Sequence, residues 1–100
     1  MSEVATKTRR AVKEKISEPE RFKVILHNDD QTPYDFVVGL LIKIFRVSAD
    51  AAVAITNEVH QKGKGVAGVY TFEIAEQRCS EGTTISRSNG FPLVLTIEPS

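Results

Sequence analysis

Phe22-Lys23-Val24-Ile25-Leu26 runs directly into His27-Asn28-Asp29-Asp30-Gln31-Thr32-Pro33, and this passage from apolar run to polar turn decides the fold. The first five residues read as a buried strand. Thr32, Pro33 and Asp35 then combine an N-cap, a proline at the first helical position and an acid in the first turn. The helix they open carries Phe36, Val37, Leu40, Leu41, Ile44 and Phe45 at three- and four-residue spacing. Between strand and helix stand two adjacent carboxylates, each weakening the ionised form of the other. A cationic ligand would account for that pairing.

Downstream, Ser48 predicts the cap of a second helix through Ala51, Ala52, Ile55 and Val59, stopped by Gly63. Val66 to Tyr70 reads as a strand, and Thr71 caps a third helix. That helix is expected to fray after about Glu81, because Gly82, Thr83, Thr84 and the run Ser86-Arg87-Ser88-Asn89-Gly90 disfavour it. Pro92 to Ile97 forms a last strand with Leu93, Leu95 and Ile97 alternating. Strands separated by helices, with the sheet covered on one face, imply a two-layer α/β domain. Upstream, Val4, Val12 and Ile16 are too few to bury much, so residues 1 to about 20 read as a mobile extension ending near Pro19. A short nascent helix over Arg10 to Ser17 fits within it.

One hundred residues suffice for one domain and a modest core. Lys and Arg number 13 against 13 for Asp and Glu, which favours neither nucleic acid nor a membrane surface as partner. The glutamates interleaved with the basic residues of the extension argue against a nucleic-acid arm. The longest apolar run, Phe36 to Ile42, is interrupted by Gly39 and falls far short of a bilayer span. No apolar stretch marks a secretory leader in the first twenty residues, and the lone Cys79 excludes an internal disulfide. A cytoplasmic protein is expected.

Thr56, Val59 and His60 lie at i, i+3 and i+4, on one face of the second helix. A histidine in a last turn also complements the helix dipole, and Asn28 and Asp29 are also ordinary turn formers. Either role explains one residue, but neither explains the paired acids. A metal could draw on Asp29, Asp30 and His60, as in a metal-dependent hydrolase or a metal-sensing domain, yet the second ligand pair of a structural zinc site is missing. A calcium loop would need alternate acids, a sixth-position glycine and a closing glutamate. An ammonium group fits better, since a carboxylate, an amide oxygen and a neutral imidazole nitrogen together accept its three N–H bonds. Cys79 beside Arg78 has no histidine near it in sequence and reads as packing. Gly63-x-Gly65-x-x-Gly68 spells a dinucleotide fingerprint but leaves a helix and enters a strand, the reverse of the required order, so a C-cap and a turn are expected.

The stretch from Phe22 to Pro33 with Phe36-Val37-Val38, then Val59-His60-x-x-Gly63-Lys64, then Gly68-Val69-Tyr70-Thr71-x-Glu73-x-Ala75-Glu76, resembles the ClpS adaptors over residues 21 to 98. These small bacterial proteins hand substrates to a Clp AAA+ unfoldase and its peptidase. The resemblance implies recognition of a destabilising N-terminal residue (Phe, Tyr, Trp or Leu) in the N-end rule pathway. It implies that Asn28, Asp30 and His60 hold the substrate's α-amino group and that Asp29 meets the peptide backbone just beyond. It further implies an apolar pocket of Leu26, Thr32, Tyr34, Val37, Thr56, Val59 and Leu93 for the first side chain. Glu73 and Arg78 would face the N-terminal domain of a ClpA-like unfoldase, and the extension would engage the unfoldase during delivery.

The expectation is therefore a non-enzymatic, monomeric adaptor without cofactor or metal. Its residues 21–100 should form a compact two-layer sandwich, three antiparallel strands packed against three helices in the order β-α-α-β-α-β. Two positions depart from the family pattern: Thr56 stands where an apolar residue is usual, and Tyr34 where Met is common. A shorter, polar residue and a bulky, stiff one should remodel the pocket rim.

Overall fold

The computed structural model describes residues 20–100. Of the expected extension only Glu20 falls inside that range; the helix expected over Arg10 to Ser17 lies outside the described residues.

Strand β1 (Phe22–His27) is central in a sheet of order β2-β1-β3, antiparallel to both neighbours, β2 (Lys64–Tyr70) and β3 (Val94–Pro99). Helices α1 (Tyr34–Lys43), α2 (Ala49–Lys62) and α3 (Phe72–Ser88) complete the expected order. Side chains alternate across β1, so Val24 and Leu26 point to the same face, and both are fully buried. The helices cover that face. A Cβ on Gly65, the β2 partner of Leu26, would meet Val59 and Ile55 of α2, and one on Gly82 of α3 would meet Leu95, the β3 partner of Leu26. Val24, Leu26, Val37, Leu41, Val59 and Leu95 belong to one buried cluster.

The ends of α2 follow local chemistry. Ser48 Oγ accepts from the Ala51 N–H at 3.1 Å, and Gly63, in the left-handed region at φ 90°, caps the other end with its N–H on the Val59 carbonyl. The start of α1 differs from expectation. Pro33 is the extended N-cap residue and the helix begins at Tyr34, because the Thr32 hydroxyl is turned onto Asp29 and caps nothing.

The expected fraying of α3 after Glu81 does not occur; the helix runs to Ser88. Small residues let it lie close on the sheet: Gly82 leaves room for Leu95, whose Cδ2 is 2.7 Å from where a Cβ would stand. The buried Ser86 hydroxyl donates to the Gly82 carbonyl at 2.7 Å, so its polarity is satisfied within the helix. Packing here overrides propensity. The last strand is also shifted, to Val94–Pro99, leaving Leu93 in the preceding loop. Gly63 is the C-cap expected, but Gly65 and Gly68 lie within β2 and form no turn. Ile25 pairs with Val66 and Val24 with Gly68, so Ala67 is an extra, bulged residue, and the Tyr70 hydroxyl occupies the space a Gly68 side chain would need.

Candidate functional site

The turn that ends β1 is tied to α2. The Asn28 N–H donates to the Gly63 carbonyl at 2.9 Å, and Gly63 caps the helix whose last turn carries His60. A residue 32 positions downstream is thereby brought to the same end of the domain as the Asn28-Asp29-Asp30 turn.

Within the turn the two acids differ. Asp29 Oδ1 accepts the backbone N–H groups of Gln31 and Thr32, each at 2.7 Å, and Oδ2 accepts the Thr32 hydroxyl at 2.7 Å. Burial alone would raise its pKa. The Thr32 hydroxyl, the two N–H groups and the positive charge of Arg87 together outweigh that and hold the carboxyl below its ordinary range. Asp29 thus shapes the turn and stays ionised beside Asp30, which is exposed, as are Asn28 and His60. Exposed acceptors on two elements therefore rim one end of the molecule.

The residues expected to line an apolar pocket are buried in this structure, except Tyr34. Leu26, Val37, Val59 and Leu93 are at most 4% exposed and belong to the core cluster of the described residues. Thr32 is 8% exposed and Thr56 fully buried. The Thr56 hydroxyl donates to the Ala52 carbonyl at 2.7 Å, which leaves the methyl as the group facing its neighbours. The polarity expected of Thr56 is therefore absorbed by the helix backbone. Tyr34, at the start of α1 and 37% exposed, lays its ring on the His60 imidazole with centroids 5.5 Å apart and planes 19° apart.

Two participants escaped the sequence reading. Asn57 Oδ1 accepts the Tyr34 hydroxyl at 2.7 Å, a contact across 23 residues that no local pattern announces. Arg87 Nη1 donates to the carbonyls of Phe91 and Leu93, at 3.0 and 2.8 Å, and so holds the loop that supplies Leu93. Its only sequence signal is a cation in the last turn of a helix.

Other candidates fall elsewhere. Glu73 is exposed in the first turn of α3, and Arg78, one and a half turns on, lies 3.5 Å from Glu81. Burial raises the Cys79 thiol, a hydrogen bond with Thr83 opposing, and its Sγ lies 3.4 Å from the Leu95 carbonyl, an environment suited to packing rather than nucleophilic attack. Among the described residues no three His, Cys, Asp or Glu side chains gather as a metal would need, Asp29, Asp30 and His60 included. No described helix is long and apolar enough to cross a membrane.

Residues 17–96 match the family model described as ATP-dependent Clp protease adaptor protein ClpS. The chain is 49% identical over 87 residues to the ATP-dependent Clp protease adapter protein ClpS of Oleidesulfovibrio alaskensis, covering 87% of this chain and 84% of that protein. It is 42% identical over 93 residues to the ClpS 1 adapter of Rhodopseudomonas palustris, covering 93% and 90%. Among solved structures, Agrobacterium tumefaciens ClpS2 bound to L-phenylalaninamide superposes with a TM-score of 0.79 at 38% identity, over 83% of this chain and all of that one.

Proposed function

The chain belongs to the ClpS family of Clp protease adaptors, and from that premise we propose that it recognises proteins by a destabilising N-terminal residue. Adaptors of this family are not enzymes, and their partner is the Clp protease. The proposed ligand is a free α-amino group followed by a Phe, Tyr, Trp or Leu side chain. The observation that supports the reading is the Asn28–Gly63 hydrogen bond, which ties the turn carrying exposed Asn28 and Asp30 to the end of the helix whose last turn carries exposed His60.

An α-amino group has a pKa near ~8 and is mostly protonated at neutral pH. Its three N–H bonds would fall to the Asn28 amide oxygen, the Asp30 carboxylate and a neutral His60 ring nitrogen. Asp29, with three donors already on it, retains one lone-pair direction for the peptide backbone that follows. The first side chain would pack against Leu26, Thr32, Val37, Thr56, Val59 and Leu93, with Tyr34 at the mouth. Charge-assisted hydrogen bonds contribute about 1.5–3 kcal/mol each, and burying a Phe or Leu side chain about as much. Micromolar affinity corresponds to about 8 kcal/mol, so both halves of the ligand are needed once ordering costs are met. The phenylalaninamide held by the Agrobacterium protein has this character, a free amine beside an aromatic side chain, with the amide standing in for the first peptide bond.

Delivery would follow from docking on the N-terminal domain of a ClpA-like unfoldase through Glu73 and Arg78. Residues 1–20 would serve as an extension engaging the unfoldase, and residues 21–100 as the binding domain, acting as a monomer in the cytoplasm. A fluorescence titration with peptides differing only in the first residue tests the reading. Phe, Tyr, Trp and Leu peptides should bind and Asp or Gly peptides should not; affinity indifferent to the first side chain would refute it.

A further inference from the structure

We infer that Asn57 is a positioning residue of the amine site, acting through Tyr34 on His60; this rests on the amine-binding reading above. Asn57 and His60 stand one turn apart on α2, and Tyr34 bridges them, its hydroxyl on Asn57 Oδ1 at 2.7 Å and its ring stacked on the imidazole. With centroids 5.5 Å apart the two rings are offset, so the tyrosine flanks part of one imidazole face. The lone pair that would accept an amine N–H lies in the ring plane and leaves from the edge. The tyrosine plate therefore restricts the ring without occupying its acceptor direction.

That restriction has a use. The outer torsion of a histidine is broad, and an exposed one orders only when its ligand arrives, which subtracts from affinity. His60 is exposed, so little except Tyr34 confines it. Tyr34 is itself 37% exposed at the first residue of α1, and the Asn57 hydrogen bond fixes its free end. The fold has no evident need of the contact: Asn57 is exposed, while α2 is held by the Ser48 and Gly63 caps and by buried Ala52, Thr56 and Val59. Its consequence is at the site.

The test compares wild type, Asn57→Ala, Tyr34→Phe and the double variant against one Phe-initiated peptide and its N-acetylated form. Each single variant should bind the free peptide about threefold to tenfold more weakly, the range set by ordering one side chain on binding. The double variant should lose no more than either single, because both remove the same contact. The thermal unfolding midpoint should fall only slightly, as the loss of one exposed hydrogen bond requires, and the fold should stay intact, while NMR relaxation of the His60 ring in the unliganded protein should report added motion in both variants. Wild-type affinity in Asn57→Ala, additive losses, or an imidazole equally ordered in all four proteins would overturn the role of Asn57 and leave the amine site standing. If wild type does not distinguish free from acetylated peptide, the amine site falls and this inference with it.

Discussion

Three donors converge on the Asp29 carboxylate, all from within three residues of it. This answers the question raised by the adjacent acids, since one is stabilised by its own turn and the other is left to face solvent. The division was not legible beforehand. The sequence identifies Thr32 as a cap and Asp29 as a turn former, but which group the Thr32 hydroxyl chooses depends on the backbone path through the turn, which residue types alone do not specify. Removing the carboxylate in Asp29→Ala should cost about 1 kcal/mol of stability at pH 7, as loss of a capping side chain does. The native pKa of Asp29 lies below its ordinary 3.8, so its contribution is fully present above that value and is lost as pH falls through the lower native one. Urea unfolding of variant and wild type should therefore converge in acid; a difference undiminished below the native pKa would contradict the turn's dependence on the ionised carboxylate.

At the scale of elements, the second helix was the easiest to read, because Ser48 and Gly63 act on their own neighbours. The third was misread for the opposite reason. Gly82 and Ser86 are poor helix formers in isolation, but they face the sheet, one admitting Leu95 and the other closing its hydroxyl on the Gly82 carbonyl. A periodicity argument sees the propensity and not the partner. Gly82→Val places a branched side chain where Leu95 already stands, and should destabilise by about 1–3 kcal/mol, the usual range for overpacking. Chemical denaturation checks this; a neutral or stabilising result would show that α3 does not depend on close approach at that point. The Tyr34–Asn57 contact was illegible for the same reason, joining two helices at exposed positions that carry no hydrophobic signal.

For the whole molecule, β1 separates two surfaces. Its last residue leads into the Asn28-Asp29-Asp30 turn, whereas its first, Phe22, packs edge-on against Phe72 at the start of α3, with ring centroids 5.1 Å apart. Glu73 follows Phe72, so the proposed unfoldase contact and the proposed amine site lie at opposite ends of a six-residue strand, about 17–20 Å long. The two should be separable. Glu73→Arg is expected to weaken binding to the unfoldase N-terminal domain while leaving the Kd for a Phe-initiated peptide within about twofold; loss of both together would contradict that separation. The proposal as a whole depends on acceptors that recognise a charged chain terminus above an apolar floor. Isothermal titration of one Phe-initiated peptide, with its α-amino group free and then acetylated, addresses this most directly. The account predicts micromolar binding of the free form and at least about hundredfold weaker binding once the charge and its N–H bonds are gone; equal affinity for the two forms would contradict it.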